Sequence, residues 1–473
     1  MMRADLRSWD GVVAVNQRAL QTTVRHRRSG LVGFGLGLLL WGCLPGLAIA
    51  AEGSMVAEID ASLATTWFTL HRTLVQQTPG FSPPVAGRAF GYLGLTLYES
   101  VVAGMPGHRS LVGHLSELRA LPRPAEGATY VWPEVANAAI AHMTRALFSN
   151  TSATNASAID DLEEQWTARH AEGTDAGVIE RARAHGLALA PALHAWSQQD
   201  GGDHGQLTNY QEEYVPPSGP GLWVPTPRTA GQPFPALQPR WGDNRSFVAA
   251  VVSACSPPPP VYSEDPTSSF YAEALEVYEV VRAVTPDQRE KAQFWSDEGG
   301  ATATPAGHWM AILTTVLVQQ ERSLAFAAEA YAKLGMTLSD AFVACWDTKF
   351  RDNLLRPITY IRAFIDPTWN APTITDPLLT PPFPEYTSGH SVVSAAAAHV
   401  LTDLFGDDVG FVDDFHVGRG FAPREYANFW EAALEAAASR LYGGVHFRTA
   451  IEVGLSQGQC VGERITALPF GSR

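Results

Sequence analysis

Lys349, Arg356, Ser388, Gly389, His390, Arg440 and His446 are the residues whose types and spacing in this chain could do chemistry. They fall in three short blocks: WDTKFRDNLLRP (346–357), PPFPEYTSGHS (381–391) and SRLYGGVHFR (439–448). Together they offer three fixed positive charges, a Ser-Gly step at the start of an apolar run, and two histidines. That set suits a tetrahedral or trigonal-bipyramidal oxyanion such as phosphate or vanadate. Lys and Arg make charge-assisted hydrogen bonds to oxyanions, and a helix start adds free amides and a positive dipole. A histidine beside them can act as a ligand, a nucleophile or an acid–base group.

Each block taken alone also has a plainer explanation. The spacing of Lys349 and Arg356 predicts one helix face carrying both, roughly 10 Å apart along it, with Pro357 ending the helix. A solvated basic face would look the same. Ser388 is placed to cap a helix running through SVVSAAAAHVLTDLFG (391–406), and Gly389 lets backbone approach an anion closely. An ordinary cap with a partly buried His390 fits the same letters. Arg440 closes an amphipathic helix broken by Gly443-Gly444, and His446 opens the last helix, where a capping histidine is common. His399, among alanines, reads as structural.

The three blocks together, as Lys-x6-Arg-Pro, Ser-Gly-His and Ser-Arg-x5-His, resemble the signature of the superfamily of vanadium-dependent haloperoxidases and type 2 phosphatidic-acid phosphatases. The segment FWSDEGGATATPAGHW (294–309) looks like the stretch that precedes the first block in secreted haloperoxidases. The resemblance implies that Lys349, Arg356 and Arg440 hold the oxygens of vanadate, with Ser388 and the Gly389 amide completing the cradle. Phosphate would compete for the same site. It implies His446 as the vanadium ligand, or as the nucleophile of a phosphatase, and His390 as the general acid/base. Trp346 and Phe383 match residues lining the halide pocket of chloride-oxidising members, although core packing would also explain them. Asp297 or Glu298 could support His390 or Arg440. Two positions depart from the pattern. Thr387 stands where Pro is usual, and Ala450 stands where many members carry an Asp that orients the histidine. On this reading His446 lacks its carboxylate unless another residue supplies one.

The elements that must position these residues read as all-α: two packed four-helix-bundle-like halves with long irregular connections. Helix-length apolar patterns fall at 55–77, 84–104, 131–147, 155–171 and 175–199, giving an N-terminal helical half over 51–200. A proline- and aromatic-rich stretch, 201–262, reads as a packed covering loop, since its prolines stop both helix and sheet. Helices resume at 268–283, 286–296, 305–334, 337–355, 389–404, 424–441 and 446–467, forming a C-terminal half (263–473) that carries the oxyanion site. Gly454, Gly458 and Gly462 recur along the last helix, each costing about 1 kcal/mol there, and predict a second helix packed close against that stripe.

With 473 residues, 46% of them hydrophobic, the chain can bury a large core. A net charge of −15 argues against nucleic acid as a partner. Arg25, Arg27 and Arg28 precede an apolar run at 31–42 and the small residues around Ala48–Ala50. That pattern reads as a signal peptide (1–50) cleaved before Ala51, with a secreted or periplasmic product and no membrane span after cleavage. Cys255, Cys345 and Cys460 then remain; a Cys255–Cys460 bond is possible, and no CxxC or HExxH pattern marks a zinc site. The reading favoured is a vanadate-dependent haloperoxidase using hydrogen peroxide, halide and a small organic acceptor. An acid phosphatase with His446 as nucleophile is the alternative, and a catalytically impaired anion-binding relative, suggested by Ala450, is a third.

Overall fold

Alanine- and leucine-rich stretches of helical period become fourteen α-helices among the described residues of the computed structural model. Those residues are 55–211, 213–229, 232–233, 235–369 and 380–471. The signal peptide read at 1–50 lies outside them. Among them no helix is long and apolar enough to cross a membrane. The first helices are α1 (Ser62–Gln77), α2 (Pro83–Val101), α3 (Trp132–Leu147), α4 (Ala153–Ala171) and α5 (Ala176–Ser197). After the covering segment come α6 (Val251–Ala254), α7 (Ser269–Arg282), α8 (Pro286–Phe294), α9 (Thr304–Gln319), α10 (Leu324–Asp352) and α11 (Pro357–Phe364). The last are α12 (Gly389–Phe405), α13 (Phe429–Tyr442) and α14 (Arg448–Thr466). Four short strands form two antiparallel pairs: β1 (Pro227–Thr229) with β2 (Gln232–Pro233), and β3 (Phe411–Asp413) with β4 (Arg424–Tyr426).

The long α10 is the spine of the fold, packed along α2 on one side and against α12 on another. The sequence predicts two separate helices here, 305–334 and 337–355. The chain instead turns at 320–323, where the Ser323 side chain caps α10, and runs unbroken through Gly335. A Cβ on Gly335 would stand 2.3 Å from the carbonyl oxygen of Phe90 in α2. At this glycine two helices touch backbone to backbone. The stripe on α14 behaves as expected: a Cβ on Gly458 would sit 2.1 Å from the carbonyl oxygen of Val392 in α12. His399 packs its Cβ on Gly462 of the same stripe. Two further corrections concern helix starts. The predicted helix 424–441 begins only at Phe429, capped by Asn428, because Arg424–Tyr426 pairs as a strand. The predicted helix 55–77 is a single 3-10 turn, Val56–Glu58, followed by α1 from Ser62.

The covering segment is tied down over the C-terminal end of α10. Trp223 N–H donates to the Asn353 carbonyl at 2.7 Å, Leu355 N–H to Gly221 at 3.0 Å, and Leu237 N–H to Pro382 at 2.8 Å. Buried Asp340 of α10 accepts the Phe247 and Val248 amides at 2.7 and 2.9 Å. A Cys255–Cys460 disulfide joins the end of α6 to α14. These bonds satisfy backbone groups that proline-rich chain cannot pair in a regular ladder.

Candidate active site

Lys349 lies in the last turn of α10, but Arg356 is not on that helix. The helix ends at Asp352, Asn353 turns the chain in the left-handed region at φ 48°, and Arg356 is the extended residue preceding α11. Pro357 explains this, because a residue before proline is pushed out of helical geometry. The expectation of one shared helix face is therefore wrong in its route. The turn still brings Arg356 to the site, where its Nη1 donates to the Val445 carbonyl at 2.8 Å and lies 3.2 Å from His446 Nε2. His446 itself stands just before α14, whose first residue is Arg448 and whose cap is Phe447.

Ser388 caps α12, its Oγ accepting from the Ser391 amide at 3.4 Å. The amides of Gly389 and His390 are at the start of the helix, where intrahelical partners do not exist. An ideal Cβ on Gly389 would come no nearer to a neighbour than 3.8 Å, so space remains beside that backbone. Ser388 N–H donates back to the Ala450 carbonyl at 3.0 Å, which locks the α12 start to α14. Arg440 is in the last turn of α13.

Lys349, Arg356, Ser388, Arg440 and His446 are each no more than 4% exposed. They are mutually close: Arg356, Lys349, Arg440 and His390 all act electrostatically on His446. Lys349 Nζ donates to the carbonyls of Pro384, Glu385 and Thr387, which uses all three of its hydrogens. It braces the 384–387 loop and supplies positive charge from behind. The donors left without a partner are Arg356 Nη2, Arg440 Nε and Arg440 Nη1, and His390 Nε2 is likewise unpartnered. Burying charged donors unpaired costs on the order of several kcal/mol each. A fold tolerates that where an anion is to be received, and the donor set fits a tetrahedral oxyanion.

Burial also sets the proton affinities. Lys349 is pulled down to about 7 by burial, with Arg356 and Arg440 adding repulsion. His446 and His390 are driven well below the ordinary histidine range, by burial first and then by the neighbouring arginines. Both histidines are thus neutral near pH 7.

Which nitrogen of His446 carries the proton follows from its partners. Arg356 can only donate, so Nε2 must accept. Nδ1 then holds the hydrogen and donates it to Glu385 Oε1 at 2.9 Å. The same oxygen accepts the Phe447 amide at 2.8 Å. Glu385 is wholly buried, which raises its carboxyl to about 8. Sequence reasoning missed this residue. One turn along α14, where a carboxylate would be expected, stands Ala450. The partner comes instead from across the site, three residues before Ser388. The available signal was a lone Glu in the otherwise apolar run PPFPEY.

A cavity of roughly 520 Å³ opens onto the site, lined among others by His390, Arg440, Phe383, Asp297 and Glu298, and by residues 76–83. Phe383 lies 4.9 Å from the Trp346 ring, centroid to centroid. Trp346 is buried behind it, its Nε1 donating to the Leu237 carbonyl at 3.2 Å. Lys349 Nζ and the Arg356 guanidinium sit 5.1 and 5.0 Å above the Phe383 ring.

Residues 329–468 match the family model of the VCPO second helical-bundle domain. The crystal structure of a bacterial vanadium-dependent iodoperoxidase is similar at TM-score 0.76 and 35% identity, over 86% of this chain and 96% of that one. A bacterial vanadium-dependent chloroperoxidase shares the fold in its holo form, at TM-score 0.60 and 16% identity over 82% of this chain and 94% of that one. Its apo form gives TM-score 0.61 and 17% identity, over 85% and 97%. No curated protein sequence matches the chain. The chain belongs to the vanadium-dependent haloperoxidase superfamily, as an all-α enzyme of that group.

Proposed function

We propose that this enzyme uses vanadate to oxidise halide with hydrogen peroxide, and that the hypohalous acid formed passes to a small organic acceptor. The observation that carries the reading is the tautomer of His446. Glu385 holds Nδ1–H, so Nε2 carries the lone pair and lies 3.2 Å from Arg356 Nη1, in a site where Arg356 Nη2 and Arg440 Nε and Nη1 lack partners. That is the arrangement needed to ligate a metal oxyanion through one nitrogen and neutralise its oxygens with fixed charge.

Vanadate bound there would supply a Lewis-acid centre that activates peroxide without changing oxidation state. The chain's own residues do the rest. His390, neutral and with Nε2 free in the cavity wall, takes a proton from incoming peroxide and returns one to the departing oxygen. Overall, H2O2, a halide ion and one proton give hypohalous acid and water. Arg356 and Arg440 hold the anion, the Gly389 amide and Ser388 complete the cradle, and Lys349 keeps the 384–387 carbonyls in place. Phe383, backed by Trp346, gives the halide a poorly hydrated wall.

Reconstitution tests this directly. Protein stripped of vanadium, then given vanadate, peroxide and iodide, bromide or chloride, is expected to turn over only with vanadate. Iodide is the first halide to try, because the 35%-identical relative is an iodoperoxidase. Stoichiometric vanadate binding without oxidation of any halide would refute the reading. Hydrolysis of a simple phosphate ester is the control, because a phosphatase would use the same Nε2 as nucleophile. Glu385 removes Ala450 as an argument against that alternative. It equally removes the main support for an impaired relative.

A further inference from the structure

Outside the cradle, a buried titratable cluster joins Asp297, His308, Asp413 and His416, each no more than 3% exposed. His308, on α9, is held by both ring nitrogens: Nδ1 is 2.8 Å from Asp297 Oδ2 and Nε2 is 2.7 Å from Asp413 Oδ2. Carboxylates accept, so both nitrogens carry hydrogen and the ring is an imidazolium. It is sandwiched between the Trp295 and Phe415 rings at 4.5 and 4.6 Å, nearly parallel to each. Burial opposes a charge on His308, but Asp413 and Asp297 outweigh it and raise its pKa to about 10. Asp413 is fixed in turn, its Oδ1 accepting the Phe415 amide at 3.1 Å.

Asp297 connects this cluster to the cradle. It lines the same cavity as His390 and Arg440, and its charge acts on both. Its backbone is in the left-handed region at φ 47°, which costs a non-glycine residue energy unless its surroundings hold it. The two residues before it, Trp295 and Ser296, set their backbone against the His390 ring. The Trp295 indole N–H also donates to Glu435 on α13, the helix that carries Arg440, at 3.1 Å.

We propose that His308, clamped between Asp413 and Asp297, is a positioning residue for the oxyanion site. It fixes Asp297 as a carboxylate facing Arg440 and with it the Trp295–Ser296 turn that seats His390. A divalent metal is the competing occupant, since ligand atoms of Asp297, His308 and His416 lie within 4.8 Å of one another. His416 Nε2 and Asp297 Oδ1 are 3.1 Å apart without hydrogen-bond geometry. However, both nitrogens of His308 are already engaged at hydrogen-bond length, and Arg419 Nη1 approaches His416 Nδ1 at 3.4 Å. A cation would have to displace the His308–Asp297 bond.

This inference rests on the cradle being a vanadate site, and the test separates the two. Vanadate affinity and bound-metal content are measured by equilibrium dialysis on the full chain, for wild type, His308→Gln, Asp297→Asn and the double variant. His308→Gln is expected to weaken vanadate binding about 10- to 100-fold, the usual loss when a supporting group is removed behind a metal ligand set. Because the effect runs through Asp297, the double variant should bind no more weakly than Asp297→Asn alone. Binding by His308→Gln within twofold of wild type overturns the inference, as do additive losses. One equivalent of divalent metal in wild type that is missing from His308→Gln would also overturn it. If His308→Gln does not fold, Asp413→Asn carries the test. It keeps the His308–Asp297 bond and should still weaken vanadate binding at least threefold; unchanged binding counts against the inference. A wild type that binds no vanadate overturns the functional reading itself, and this inference with it.

Discussion

Glu385 Oε1 stands 2.9 Å from His446 Nδ1, and the two residues come from different blocks, 61 positions apart. This pair, rather than a carboxylate on the histidine's own helix, sets the tautomer in which Nε2 carries the lone pair, 3.2 Å from Arg356 Nη1. Replacing Glu385 by Ala removes the acceptor of both the His446 Nδ1–H and the Phe447 amide. Vanadate affinity is expected to fall about 10- to 100-fold, read as the vanadate concentration that half-restores activity to the stripped enzyme. An unchanged value would mean that the ring is oriented by other contacts.

His390 tests the division of labour within the site. It has a buried, unpartnered Nε2 in the cavity wall and is placed to move protons rather than to hold the anion. His390→Ala should lower halide turnover about 100- to 10,000-fold, the range for losing a positioned acid–base group. Vanadate affinity, measured separately by dialysis, should change far less. Equal losses in both would make His390 part of the cradle.

The pH dependence of anion binding follows from Lys349. In the anion-free site its ammonium titrates at about 7, below its usual 10.5, because of burial and the nearby arginines. An anion favours the protonated form and raises that pKa. Between the two values one proton is taken up per anion bound, so affinity falls by up to tenfold per pH unit above about 7. Glu385, titrating at about 8, gains its negative charge in the same range and pushes the same way. The unfolded chain binds more protons at Lys349 than the folded one between about 7 and 10.5, so this group makes the anion-free protein gain stability as pH rises there. Molybdate, whose own charge is constant over this range, should therefore raise the Tm most below pH 7 and progressively less above it. A Tm gain independent of pH would show that neither Lys349 nor Glu385 changes charge over this range.

Much of this site was legible in the sequence because the chemistry sits in short, ordered blocks. Lys349, Arg356, Ser388, Gly389, His390, Arg440 and His446 come together as their types required, and the Gly458 stripe correctly marked a close helix contact. What was not legible depended on tertiary context. The break predicted between 334 and 337 falls at Gly335, which is a contact between helices inside one continuous helix. Arg356 was placed one residue before a proline, and local periodicity could not show that Asn353 would already have turned the chain. Glu385 pairs with a histidine 61 residues away, a relationship no local pattern encodes.

The Cys255–Cys460 disulfide closes a loop of 205 residues and pins the end of the covering segment to α14. Replacing both cysteines by Ser should cost about 2–4 kcal/mol of stability, seen as a lower Tm that a reducing agent no longer changes. Wild type should drop toward the same Tm on reduction. A reductant-insensitive wild type would mean that the bond is not formed in solution.

The central claim is that His446 Nε2, presented by Glu385 and flanked by Arg356 and Arg440, is the atom that takes the metal oxyanion. A crystal structure of the protein soaked with vanadate tests it most directly. The account predicts vanadium bonded to His446 Nε2, with its oxygens on the Arg356 and Arg440 guanidinium groups and the His446–Glu385 bond intact. Vanadate seated elsewhere, or His446 turned with Nε2 away from the anion, would contradict it.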